Sequence, residues 1–124
     1  MLLVDAANVI GSRPTGWWRD RPGAAGRFTE RVRASVSAGR LDSPVTIVLE
    51  GRFREGVPEG LVDGVAVVHA SGEGDDTIVV LAEAEVGVGV GVIVVTADRG
   101  LAERVRAVDA EVVGPNWLLD KLVQ

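Results

Sequence analysis

The chain has no cysteine and no tyrosine, and it carries one histidine, one methionine and one lysine in 124 residues. Each shortage closes off some chemistry. Without cysteine there is no disulfide framework, no zinc–thiolate site and no thiol nucleophile. With His69 as the sole imidazole, a poly-histidine metal site is excluded and a Ser-His-Asp triad would hang on that residue alone. The longest apolar stretch, around Val86 to Val95, is broken by glycines and falls far short of the ~20 residues a membrane helix needs. The N-terminal MLLVDAANVIG has no basic region ahead of its short apolar run, unlike a signal peptide. The expectation is a cytoplasmic protein with no membrane partner.

What is present suits a single domain over residues 1–124. A hydrophobic share of 47% with 25% charged residues is ample for one core and excludes disorder. Arginine supplies every basic residue except Lys121, and with so much Val, Ala and Gly this bias points to a GC-rich bacterial genome. The net charge of −5 conceals an asymmetry: residues 11–54 hold nine arginines against Asp20, Glu30, Asp42 and Glu50, whereas residues 55–124 hold four basic and thirteen acidic groups. An acidic chain is a poor broad binder of duplexes. A basic half facing an acidic half can still hold a phosphate chain beside a cation, although an ordinary solvated surface gives the same pattern.

Leu2-Leu3-Val4 ending at Asp5 reads as a buried strand, followed by a polar stretch from Asn8 to about Arg21. Pro22 suits the first turn of a helix that carries Phe28, Val32 and Val36 at helical spacing and stops at Gly39. Val45 to Leu49 is β-branched and bounded by Pro44 and Gly51, hence a second strand. Residues 51–64 read as a loop, and Val65 to Val68 as a third strand. Asp75-Asp76 opens a helix through Ile78, Leu81, Ala82 and Glu85. The Val-Gly repeat near residues 87–91 precedes a strand and lacks dinucleotide-loop spacing, so it is a slack connection. A strand at Val92 to Val95, a helix from Leu101 to Val108, a short strand at Val112-Val113 and a helix from about Asn116 to Val123 complete the chain. The alternation predicts an α/β fold: a mainly parallel sheet of four to five strands with helices on both faces. In such sheets the ligand sits beyond the carboxyl ends of the strands.

Four carboxylates fall at those ends. Asp5 ends the first strand, Asp75 and Asp76 start the helix after the third, and Asp98 follows the fourth. Crowded carboxylates repel unless a cation compensates. Hard oxygen ligands without His or Cys select Mg²⁺ or Mn²⁺, which polarise a phosphodiester and activate water. Taken singly, Asp75, Asp76 and Asp98 are ordinary helix-start residues. Asp5 is not, because a carboxylate after a buried strand needs compensation.

The set Asp5-x-x-Asn8 after the first strand, Gly74-Asp75-Asp76-x-Ile78 at a helix start and Thr96-Ala97-Asp98 after a strand resembles the NYN domain. That is a branch of the PIN-like nuclease superfamily, and the resemblance is to its small bacterial YacP-like members. It spans Leu2 to about Val113, with the motifs in the expected order. It implies a three-layer PIN-like domain and Mg²⁺- or Mn²⁺-dependent (endo)ribonuclease activity. The family's acids fall on Asp5, Asp75, Asp76 and Asp98 as catalytic groups, with one metal held by Asp5, Asp76 and Asp98. Asn8 falls on the asparagine that braces the first aspartate or the substrate phosphate, and Thr96 would orient a metal-bound water. The family's further acid on a middle helix has no counterpart here; Glu50, at the second strand's end, either serves near the site or is a solvated strand end.

The segment Ser12-Arg13-Pro14-Thr15-Gly16-Trp17-Trp18-Arg19-Asp20-Arg21 follows Asp5 and Asn8 closely. Ser12, Arg13 and Arg99 are candidate phosphate contacts, and Trp beside Arg is the composition of a stacking platform for single-stranded RNA. At least one tryptophan is expected to pack against the helix near Pro22, because adjacent residues rarely face one ligand. Trp117 reads as core or as a subunit contact in a homodimer, and His69 as a structural, hydrogen-bonded histidine. A receiver domain needs a second acid after Asp5, where Ala6 stands. A haloacid-dehalogenase phosphatase needs one at Ala7. Two alternatives stay open: a nucleotide pyrophosphohydrolase using the same acids, and a non-catalytic RNA-binding module.

Overall fold

Leu2–Asp5 forms β1, a strand with every side chain buried. It pairs in parallel with β2 (Val45–Leu49) on one side and β5 (Ile93–Val95) on the other. A strand covered on both faces has no solvent side to populate with polar residues, which is why it reads as an unbroken apolar run. In the computed structural model, which describes residues 1–123, β1 lies at the centre of a six-stranded sheet ordered β3-β4-β2-β1-β5-β6. Here β3 is Gly60–Val62, β4 Val65–His69 and β6 Glu111–Val113. Only β3 runs antiparallel to its neighbour.

The two-residue period of the strands divides the core cleanly. Leu2, Val4, Val45, Ile47, Leu49 and Val95 point to one face, whereas Leu3, Val48 and Val94 point to the other. On the first face lie α1 (Ala6–Gly11), α2 (Arg21–Ser37) and α5 (Pro115–Leu119), contributing Val9, Phe28, Val32 and Leu118. On the second lie α3 (Gly74–Gly87) and α4 (Arg99–Arg106), contributing Ile78, Ala82, Leu101 and Val105. The result is the predicted α/β architecture with helices on both faces of a mainly parallel sheet.

Three elements differ from the sequence reading, the simplest being the last helix, expected to reach about Val123 but ending at Leu119. The sheet has six strands because Gly60–Val62, inside the segment expected to be a loop, pairs with β4 through a tight turn at Asp63-Gly64. Both turn residues have positive φ, 53° and 78°, as a two-residue primed hairpin turn demands. The polar stretch after Asp5 likewise contains helix α1, which buries Ala6, Val9 and Ile10. Beyond β2, the short 3₁₀ segment Gly51–Gly56 lies against α2, and a Cβ at Gly56 would run into the backbone of Pro22. That close approach requires glycine. Among the described residues no helix is long and apolar enough to cross a membrane.

Candidate active site

Asp5 closes the central strand and is only 4% exposed. A buried carboxylate is costly unless donors meet it, and here the Thr96 hydroxyl donates to Asp5 Oδ2 at 2.9 Å. The same hydroxyl oxygen accepts the Asp98 N–H at 3.1 Å. The compensation is incomplete. Burial pushes the Asp5 carboxyl from 3.8 up to about 6, opposed by the Thr96 hydroxyl and the nearby Asn8 backbone amide, while the charges of Asp75 and Glu50 raise it further.

Asp75, half-buried in the first turn of α3, is also raised, first by burial and then by Asp98, Glu50 and Glu73, with Arg104 opposing. Asp5, Glu50, Asp75 and Asp98 therefore feel one another at the carboxyl edge of the sheet. The topology explains why. β2, β1 and β5 are neighbours running the same way, so the residues that follow them come out side by side.

Each acid also has a structural tie. Asp98 Oδ1 caps α4 by accepting the Leu101 N–H at 3.0 Å. Glu50 Oε2 accepts the Gly74 N–H at 3.2 Å, capping the start of α3 from the end of another strand. Neither Asp75 nor Asp76 caps α3. Asp76 turns away from the acidic group: its side chain is 78% exposed and pairs with Arg104 at 2.9 Å. Asp75, not Asp76, is the member of the pair that faces Asp5.

The remaining candidates divide. Asn8 Oδ1 accepts the Ala97 N–H at 2.7 Å, so Asn8 braces the segment that carries Thr96 and Asp98. Thr96 is buried, and a hydroxyl has one proton to give. Having given it to Asp5, Thr96 positions two acids, Asp5 through its proton and Asp98 through its oxygen. Ser12 donates to the Val9 carbonyl at 2.6 Å, and Arg13 donates to Asn116 Oδ1 at 2.9 Å. Both lie past the far end of α1 and touch none of the four acids. Arg99 lines a shallow cleft beside Thr96 and Ala97, with Arg106 on the same wall. Arg106 is absent from the sequence reading; its signal is the seven-residue spacing from Arg99, two helical turns on one face. His69 is structural: its Nε2 lies 2.7 Å from the Val57 carbonyl, which can only accept, so that nitrogen carries the proton. Trp17 packs toward Phe53 at 6.0 Å between ring centres, whereas Trp18 is 45% exposed with Arg19 over its ring at 5.9 Å. Trp117 is partly exposed beneath Lys121, 4.8 Å away.

The donor set suits a hard divalent cation in kind: only oxygen acids, two of them kept from easy ionisation by burial and by one another. Among the described residues no three acids converge closely enough to cage an ion by themselves. The fit is to a cation that takes one or two carboxylates and completes its shell with water and substrate phosphate, as Mg²⁺ does.

No protein-family model matches the sequence, and no curated protein matches it. Solved structures do. Rae1 (YacP) from Bacillus subtilis aligns at a TM-score of 0.78 and 20% identity, over 98% of this chain and 72% of that one. A mutant form of the same protein gives 0.73 and 20%, over 97% and 72%. At that identity the likeness is one of fold, and the chain has a YacP-like α/β fold.

Proposed function

We propose that the protein is a metal-dependent ribonuclease that hydrolyses phosphodiester bonds of single-stranded RNA at the carboxyl edge of its sheet. The observation that carries the reading is the linked arrangement of Asp5, Thr96 and Asp98 with Asp75 and Glu50 beside it, acids held together at a cost first in burial and then in charge repulsion. A scaffold has no use for that cost. Mg²⁺ or Mn²⁺ would be held by one or two of the carboxylates of Asp5, Asp75 and Asp98, with water and substrate phosphate completing its shell. A cation there supplies charge to polarise a phosphodiester and lowers the pKa of bound water.

The chain's own residues do the rest. Thr96 fixes the orientation of Asp5, and Asn8 fixes the segment bearing Thr96 and Asp98. Arg99 and Arg106 border the adjoining cleft, placed to pair with the phosphate of a bound strand. Exposed Trp18 offers a ring face for a base at the neighbouring end of α2. The open cleft favours a strand that passes through over a nucleotide enclosed on all sides.

Calorimetric titration of Mn²⁺ into the metal-free protein and into Asp98→Asn tests the metal. Saturable binding to the wild type, lost in the variant, is expected. Incubation with single-stranded RNA and with nucleoside triphosphates then tests the substrate. Cleavage of triphosphates alone would replace the reading with a pyrophosphohydrolase, and RNA binding without turnover in any divalent metal would replace it with a binding module.

A further inference from the structure

On the face of the sheet that carries α1, α2 and α5 lies a groove of about 220 Å³, floored by Val9, Ile10, Phe28 and Leu119 and rimmed by Arg13, Arg27 and Arg31. We infer that this groove is a second binding site for single-stranded RNA, holding the strand outside the scissile position. The inference rests on the ribonuclease reading and adds to it a place where affinity resides.

Three observations carry it. Among the described residues the ion pairs are Arg33–Glu30, Arg52–Glu55 and Arg104–Asp76, and none of them includes a rim arginine; Arg31 donates from Nε to the Val123 carbonyl at 3.1 Å. The acids nearest in sequence are already engaged: Asp20 Oδ1 caps α2 through the Gly23 N–H, with its other oxygen beside Gly23 near Arg27 but outside ion-pair distance, and Glu30 pairs with Arg33. Arg27 and Arg31 stand one helical turn apart, where like charges repel, and Arg13 is held across from them by Asn116. Three guanidiniums outside any ion pair among the described residues, in a chain of net charge −5, form a local field that attracts a polyanion.

The floor selects the kind of polyanion. It is apolar, too small for a folded partner, and sized for one planar group. A base in apolar contact with the little of Phe28 and Ile10 that is exposed, with phosphates on the guanidiniums, follows the general plan by which unpaired strands are held. The location then links the two sites. Asp5 immediately precedes α1, Val9 and Ile10 lie on its second turn, and Arg13 stands just past its end. The groove and the acids are thus separated by little more than one short helix, roughly 10 Å.

The test measures anisotropy of a fluorescein-labelled oligouridylate with Asp98→Asn, in EDTA, alone and combined with Arg13→Gln, Arg27→Gln and Arg31→Gln. The triple variant is expected to bind at least about tenfold more weakly. Its slope of log Kd against log salt is expected to flatten by about two, some 0.7 for each phosphate left without its guanidinium. The matching Arg→Lys triple keeps the charges, and recovery of the slope there excludes a folding defect. With Asp98 intact, the Gln triple raises KM for the oligonucleotide and leaves kcat unchanged. RNA bound with the wild-type affinity and slope by the Gln triple overturns the groove and leaves the ribonuclease reading standing. Absence of both RNA binding and RNA cleavage in the unaltered protein overturns that reading, and the groove with it.

Discussion

The two ends of helix α1 pose opposite electrostatic problems. At its start Asp5 sits buried near Asp75 and Glu50, and burial first, then their like charge, raises its pKa. Past its end Arg13 faces Arg27 and Arg31 across an apolar floor, and none of the three is paired with an acid among the described residues. The charge asymmetry along the sequence has become an asymmetry in space, with a gap in cations at one end and a gap in anions at the other. Neither end is at its most stable in isolation. The lesson is that unspent charge in a well-packed fold marks where ligands belong.

The largest effect expected is on turnover. Asp5→Asn, Asp75→Asn and Asp98→Asn should each reduce RNA cleavage by more than about a hundredfold, beyond the usual loss of an orienting partner. Asp76→Asn should cost less than about tenfold, since Asp76 faces Arg104 and solvent. An equal loss for Asp76→Asn in single-turnover assays would dissolve the distinction between the pair.

The stability of the acidic end should follow pH. With the Asp5 pKa at about 6 when folded, against 3.8 ordinarily, the folded state holds the proton more tightly than the unfolded chain. Asp5 therefore costs nothing below about pH 4, destabilises increasingly as pH rises through 6, and costs roughly 3 kcal/mol at neutral pH. Asp5→Asn should raise the melting temperature in metal-free buffer at pH 7.5 and leave it unchanged near pH 4. A pH-independent difference would show that burial is not the cause.

Smaller effects separate packing from charge. Gly56→Ala should destabilise by about 1–3 kcal/mol, because its Cβ meets the Pro22 backbone. Thr96→Val should cost about 1–2 kcal/mol and move the Asp5 transition to higher pH, read by following stability against pH. At the low end, Trp18→Ala should leave stability within about 0.5 kcal/mol, while Trp17→Ala, which removes the ring facing Phe53, should cost several times more.

The parallel sheet and its paired helices were legible because long β-branched runs alternate with helical spacing. Asp5 and Asp98 were legible because the first ends a short apolar run and the second stands three residues past the end of one. β3 was not, because three exposed residues between glycines carry no burial pattern, although the Asp63-Gly64 turn was a usable signal. Helix α1 was hidden by its brevity. The choice between Asp75 and Asp76 turned on helix rotation. Asp75 precedes buried Ile78 by three residues and shares its face, whereas Asp76 precedes it by two and lies some 200° round. The apolar residues all around α3 concealed which face was the core.

Thr96 gives the edge of the sheet a direction. The Asp98 amide donates to the Thr96 oxygen, and the Thr96 hydroxyl donates to Asp5, whose strand lies 91 residues away in sequence. Because the hydroxyl holds one proton, the chain of dipoles runs only toward Asp5. Protonating Asp5 weakens the last link first and slackens the amide that opens α4. The ionisation of one strand end is thereby felt, through a residue 91 positions along the chain, at the start of a helix.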